Sequence, residues 1–271
     1  TDVSTELSYY HDEGQVGVSF AKSEENDYES QSWGLSTQRA FNDKHTRVTV
    51  SVSGSDDDVF PTLSHHNPPQ VIPSFDKGEK KSRSVFAGVN QLINRQSVMR
   101  LGIGFTSLEG DLSDPYKLAD DRPDKRFQRT FTAGYKHYLP TAKAALTADY
   151  RYFTDSWDIK SHTIDLDWNQ TLTPNWQIIP SIRYYWQGDA EFFSQELPGM
   201  TSYYSNDYRL SKYEAITWGM DTTYQIGSVT LIVGAKWYES TATSSNELDK
   251  SPALVDFSWF TVGFDYTFDE R

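Results

Sequence analysis

The stretch Trp259-Phe260-Thr261-Val262-Gly263-Phe264-Asp265-Tyr266-Thr267-Phe268 decides the fold. Phe260, Val262, Phe264, Tyr266 and Phe268 share one parity; Thr261, Gly263, Asp265 and Thr267 share the other. A strand here therefore has one apolar, aromatic face and one polar face. In a β-sandwich the apolar face would turn inward to a core. In a bacterial outer-membrane barrel it turns outward to lipid, and the polar side chains line the lumen. Gly263, Tyr266 and Phe268, with Thr261, also fall at the spacings of the C-terminal signal by which such barrels are recognised for assembly, polar-x-Gly-x-x-aromatic-x-aromatic. Asp269, Glu270 and Arg271 depart from that pattern, because they follow the aromatic that usually ends it.

Composition points the same way. The 271 residues are 15% aromatic, contain no cysteine and carry a net charge of −13. Mean hydropathy is −0.64, and no apolar run approaches the roughly 18 residues of a membrane-spanning helix. A membrane protein this hydrophilic has to be a barrel, since half of each strand faces water. The lack of cysteine removes thiol chemistry, disulfides and Cys-ligated metals. The strong negative charge disfavours nucleic acid as a partner. No signal peptide is visible, so the sequence reads as a mature chain or as one incomplete at its start.

Strand-like segments recur along the chain. Glu6–His11 and Gln15–Lys22 flank the turn signal Asp12-Glu13-Gly14. Gln31–Phe41 and Arg47–Ser53 flank Asn42-Asp43-Lys44. A long loop is expected from about Gly54 to Ser82, with the acidic run Asp56, Asp57, Asp58, the pair His65 and His66, and several prolines. Strands resume at Val85–Ile93 and Ser97–Ser107, followed by a second acidic loop, Glu109–Lys125. Gln128–Tyr138, Ala144–Phe153, Ile159–Leu172 and Trp176–Gln187 come next. A third long loop, Asp189–Ser211, precedes Tyr213–Ile226 and Val229–Glu239, and a Ser/Thr-rich loop leads to the final strand.

Short turns thus alternate with long loops, which in an outer-membrane barrel lie on the periplasmic and outer sides respectively. Counting back from the last strand gives about thirteen, whereas single-chain bacterial barrels have an even number. Two explanations are open: a miscount near residues 15–40, or strands upstream of this chain. The second is preferred.

Asn90-Gln-Leu-Ile-Asn-Arg-Gln-Ser-Val-Met99, Asp114-Pro-Tyr-Lys117, His137-Tyr-Leu-Pro140, Tyr150-Arg-Tyr-Phe-Thr-Asp-Ser-Trp157, His162-Thr163, Arg183-Tyr-Tyr-Trp-Gln187 and Asp189-Ala-Glu-Phe-Phe193 together carry a resemblance. The chain resembles an uncharacterised family of Gram-negative outer-membrane barrels known as a domain of unknown function. The similarity extends more weakly from about Thr5 to Phe268. It implies further N-terminal strands and a full barrel of about sixteen. It also implies a setting near an envelope redox system, since the family's genes often lie beside those for a small lipoprotein, a thioredoxin-like protein and a flavin transferase. It supplies no catalytic residues.

If the aromatic parity faces lipid, the lumen-facing polar set includes Arg100, Lys136, Asp149, Arg151, Asp165, Asp167, Arg183, Asp221, Lys236 and Asp265. The signs are mixed, so ion pairs stiffening the wall are preferred over a selective filter, which concentrates one sign. Asp111, Asp114, Asp120, Asp121 and Asp124, with Asp56 to Asp58, offer oxygen ligands for Ca²⁺, but their spacing matches no EF-hand loop, and solvated loops are preferred. His65 and His66 point apart on an extended backbone and lack a third ligand. His162 shares the outward parity of Ile164, Leu166 and Trp168. Trp33, Trp157, Trp168, Trp176, Trp186, Trp218, Trp237 and Trp259 are expected mostly in interfacial girdles, with luminal stacking on carbohydrate as the alternative for several.

The reading is one all-β domain over residues 1–271: an antiparallel transmembrane barrel of the bacterial outer membrane with about 12–13 strands in this chain. Its expected role is a non-enzymatic passage or sleeve across the membrane. Its expected partners are the lipid bilayer and lipopolysaccharide, the outer-membrane assembly machinery, and a small lipoprotein or redox protein. A scaffold with a plugged lumen is the alternative. An outer-membrane hydrolase is a third reading, weakened because no nucleophile-elbow motif accompanies His137 and His162. No catalytic residue, metal or cofactor is expected, and no haem motif or cysteine supports electron transfer by the chain's own residues.

Overall fold

The computed structural model describes residues 1–62, 77–117, 119–196, 203–246 and 250–267. Phe268, His65 and His66 lie outside the described residues. The strands are β1 Asp2–His11, β2 Gly14–Glu24, β3 Tyr28–Phe41, β4 Thr46–Val59, β5 Gly78–Asn94, β6 Ser97–Gly110, β7 Lys125–Leu139, β8 Ala144–Asp155, β9 Lys160–Thr173, β10 Trp176–Gln187, β11 Tyr213–Ile226, β12 Val229–Ala242 and β13 Phe257–Tyr266. They form one 13-stranded sheet in sequence order. Every neighbouring pair is antiparallel, from β1–β2 through to β12–β13. Among the described residues β1 and β13 each pair with a single neighbour, so both edges of the sheet are open.

The period-2 pattern becomes two chemically distinct faces because the register keeps parity from strand to strand. One cross-strand row runs Phe131, Tyr152, His162, Trp186, all of the apolar parity. The adjacent positions give Thr132, Arg151, Thr163, Tyr185 on the other face. The apolar face has nothing packed on it: Leu7 is 72% exposed, Phe264 75% and Val262 82%. It spans all thirteen strands, far beyond the few hundred Å² of apolar patch a water-soluble monomer shows. Lipid is the solvent that suits it. Among the described residues no helix is long and apolar enough to cross a membrane.

Most connections follow the expected rhythm. On the short side, Asn42, Asp43 and Lys44 take φ of 52°, 51° and 67°, a left-handed turn that Asn and Asp tolerate because their short polar side chains bond locally. On the long side the β2–β3 and β8–β9 links are themselves tight, so loop length alternates less strictly than expected. The first long loop is also shorter than its composition suggested. Asp56, Asp57 and Asp58 belong to β4 and face Lys81, Lys80 and Glu79 of β5. Arg83 Nη2 reaches both carboxylate oxygens of Asp56, at 2.9 and 3.0 Å. Lys80 and Lys77 sit 3.6 and 3.4 Å from Asp57 and Asp58. Opposed charges across the ladder let an acidic run pair as a strand.

Candidate functional site: the polar face and its loop cap

All ten residues of the expected polar set share one face. Asp149 pairs with Asp165, Asp165 with Arg183, and Arg183 with Thr217. Arg100 pairs with Gly134 and Gly134 with Asp149, so the missing Cβ leaves a notch. Arg100 crosses it, and its Nη2 donates to both Asp149 oxygens at 2.8 and 2.9 Å. A Cβ on Gly134 would sit 2.2 Å from Asp149 Oδ1. The same device recurs nearby. Lys236 Nζ lies 3.2 Å from Asp221, and a Cβ at Gly234 would fall 2.1 Å from Asp221 Oδ1. Arg183 Nε donates to Asp165. Lys136, Arg151, Asp167 and Asp265 make no ion pair within 4.0 Å among the described residues, although Arg151 lies 5.8 Å from the Phe153 ring. Each pair is partly exposed and contributes only about 0–1 kcal/mol. The pairs set the shape and charge balance of the face more than its stability.

Curvature gathers several of these side chains around one hollow of about 490 Å³ lined by Asp149, Asp165, Asp167, Arg183, Lys236 and Trp259. Trp259 opposes Lys236 in the register and so lies on the polar face, not in a girdle.

A small apolar core closes over the polar face at the long-loop rim. Trp157, Ile159, Ala190, Phe193 and Leu210 are buried together, with Leu112, Phe153 and Phe192 against them. Trp157, expected in a girdle, is only 3% exposed. Its indole N–H donates to the Lys125 carbonyl at 3.0 Å, and the Arg126 guanidinium stands 4.3 Å from its ring centroid. Asp155 anchors the turn beneath, accepting from the backbone N–H groups of Trp157 and Ile159, both at 3.0 Å.

The loops are tied together by Asp207, which is fully buried. It accepts from Arg209 N–H at 3.0 Å and from Arg122 Nη2 at 3.0 Å, with Lys117 Nζ 3.6 Å away. Burial alone would push this carboxyl up, but the hydrogen bonds from Arg209 and the charges of Arg209 and Lys117 outweigh it and hold the group well below the ordinary carboxylate range. Asp120, expected in a solvated loop, is buried. Its Oδ2 accepts from Asp114 N–H and lies 2.8 Å from Arg122 Nε without hydrogen-bond alignment, while Oδ1 has no partner. Arg122, a cation of its own loop, stands where water was expected. No group of three His, Asp or Glu side chains among the described residues is placed to hold a metal ion.

His162 and His137 each make contacts within the wall. His162 faces outward as its parity indicated; it stacks on Trp186 with centroids 4.6 Å apart, and its Nδ1 is 2.7 Å from Tyr150 Oη. His137 Nδ1 is 2.8 Å from Ser97 Oγ, which also accepts from Tyr135 Oη at 3.1 Å. Ser97 is only 2% exposed, so this Ser–His contact is enclosed, and its third member is a phenol rather than an orienting acid.

Residues 1–254 match a family model described as "Protein of unknown function (DUF3570)". No curated protein matches the chain. Among solved structures, the siderophore receptor PirA from Acinetobacter baumannii superposes with a TM-score of 0.61 at 10% identity, over 97% of this chain and 49% of that one. The ferric citrate transporter FecA in its unliganded form gives 0.58 at 12%, over 97% and 52%. BamA from Haemophilus ducreyi gives 0.52 at 9%, over 93% and 57%. The chain spans about half the length of these structures, and what it shares with them is the fold of outer-membrane β-barrels.

Proposed function

Since this chain belongs to the DUF3570 family and has an outer-membrane barrel fold, we propose that it forms the wall of a transmembrane passage, lumen on the polar face. The observation that carries this reading is the face-to-face contrast. One side is continuous exposed apolar surface, and the other holds sign-balanced ion pairs seated in glycine notches. Charges are placed in a barrel interior when water reaches them there. Closure is completed by further strands, giving about sixteen in the working barrel. The open edges of β1 and β13 support this, because unpaired backbone groups cost several kcal/mol each in hydrocarbon. A small lipoprotein or redox protein of the envelope docks at this barrel, and the role is not enzymatic.

A second reading, a plugged scaffold, draws on the buried loop core at the rim. Single-channel conductance of the complete protein in planar bilayers separates the two. Large, stable, ohmic steps support the passage. Silence from a demonstrably folded barrel refutes it and favours the scaffold.

A further inference from the structure

We propose that the hollow around Trp259 is a binding site for a neutral saccharide, reached along a run of aromatic rings on the polar face. The site rests on the passage reading above only for its access route. Its walls come from six consecutive strands, β8 to β13, brought to one level by the register. The floor is polar: Asp149, Asp165, Asp167, Arg183, Lys236, Ser181 and Thr217 line it. One side is the Trp259 indole.

Charge balance decides the ligand class. Arg100 neutralises Asp149, Arg183 neutralises Asp165, and Lys236 turns to Asp221. Apart from Asp167 these charges are compensated, so no strong field built from several groups of one sign remains to draw in an ion. What remains are lone pairs and N–H groups on planar side chains held in place by their partners, a surface that hydrogen-bonds several hydroxyls at once. Asp167 adds a carboxylate with no ion-pair partner. A polyhydroxylated ring satisfies such a floor while its C–H face lies on an indole.

The approach has the complementary chemistry. Phe257 lies 5.5 Å from Trp259 and 4.9 Å from Tyr238, ring centroid to ring centroid. On the neighbouring strands Tyr185 and Tyr213 are 5.4 Å apart at the rim. All five share the polar-face parity. An aromatic series on the wet side of a wall is not explained by lipid, which lies on the other side. It is the surface on which a sugar slides without full desolvation.

The test is calorimetry on the complete protein folded in an amine-oxide detergent, since glycoside detergents would occupy the site. Maltohexaose, cellohexaose and raffinose serve as probes. At least one should bind in the millimolar range, with Trp259→Ala weakening it about tenfold or more. Trp259→Phe should retain most of the affinity, and Trp218→Ala, on the lipid-facing side, should leave it unchanged. Phe257→Ala provides a second variant should Trp259→Ala fail to fold. Absence of binding by all three sugars, or equal affinity in wild type and both alanine variants, overturns the proposal. Conductance of the same preparation keeps the two readings apart. A conducting barrel that ignores sugars sinks only the saccharide site, whereas a silent barrel that binds sugar sinks only the passage.

Discussion

Gly134→Ala is expected to destabilise the barrel wall through a carboxylate it never bonds. The new methyl would lie 2.2 Å from Asp149 Oδ1 and 3.0 Å from Arg100 Nε, an overlap of about 1 Å with the carboxylate oxygen. Asp149 must rotate away, which breaks its two hydrogen bonds from Arg100. That half-exposed pair contributes about 0–1 kcal/mol, and the overpacking costs about 1–3 kcal/mol. Replacing a strand glycine by alanine returns roughly 0.5–1 kcal/mol of backbone entropy. The net loss is about 0–3.5 kcal/mol. Asp149→Ala by itself removes only the pair and costs about 0–1 kcal/mol. In the Asp149→Ala background the clash is gone, and Gly134→Ala becomes neutral or mildly stabilising. The double-mutant cycle therefore carries a coupling of about 1–4 kcal/mol, the pair and the overpacking together. Urea unfolding in lipid vesicles, followed by tryptophan fluorescence and by the gel mobility of the folded barrel, measures all four corners. Equal effects of Gly134→Ala in both backgrounds would refute the notch and the shared face of Gly134, Arg100 and Asp149.

Three further outcomes are expected. Leu35→Arg, on the apolar face of β3, should cost about 2–4 kcal/mol near the bilayer midplane; Ser36→Arg, one residue on, should fold nearly as wild type in the same vesicles. Trp157→Ala should empty the loop core at a local cost of about 3–5 kcal/mol. Limited proteolysis should then cleave near residues 190–210 while the strands stay protected. Because the Asp207 carboxyl is depressed in the folded loops, its contribution is present above the unfolded carboxylate value of about 3.9 and is lost as pH falls below it. Loop protection from proteolysis should hold from neutrality to about pH 4 and decay below that; in Asp207→Asn, weaker throughout, that decay should be absent.

Periodicity made the strands legible and told nothing about what meets above them. Trp176–Gln187 and Tyr213–Ile226 were placed residue for residue, because the turn signals Thr173-Pro174-Asn175 and Gly227-Ser228 and the long loop between the two strands mark their ends. The ten polar residues fell on one face because antiparallel pairing without a parity change carries one strand's pattern to the next. Asp56 to Asp58 misled because local composition reads as loop, while their strand state depends on Lys77, Lys80 and Arg83, more than eighteen residues away. Asp207 gave only a local hint in Arg209, two residues on: its other partners Arg122 and Lys117 come from another loop, joined to its own only after the sheet curls. Trp259 was readable by parity, but the expectation of girdles for tryptophans obscured it.

The β4–β5 hairpin has a consequence for how the cell surface is met from outside. β5 is 17 residues long, against 12 in β8 and β10. At about 3.4 Å per residue and a tilt of about 45°, the extra residues raise the crown by roughly 12 Å on that side. The described part that rises is a hydrogen-bonded ladder in which Asp56 and Asp57 face Lys81 and Lys80 across the strands. A phage tail or an antibody that reaches these paired residues meets a stiff, charged post. Over residues 54–59 and 78–83 a protease finds little to cut, because a paired strand does not offer the extended single chain its cleft requires.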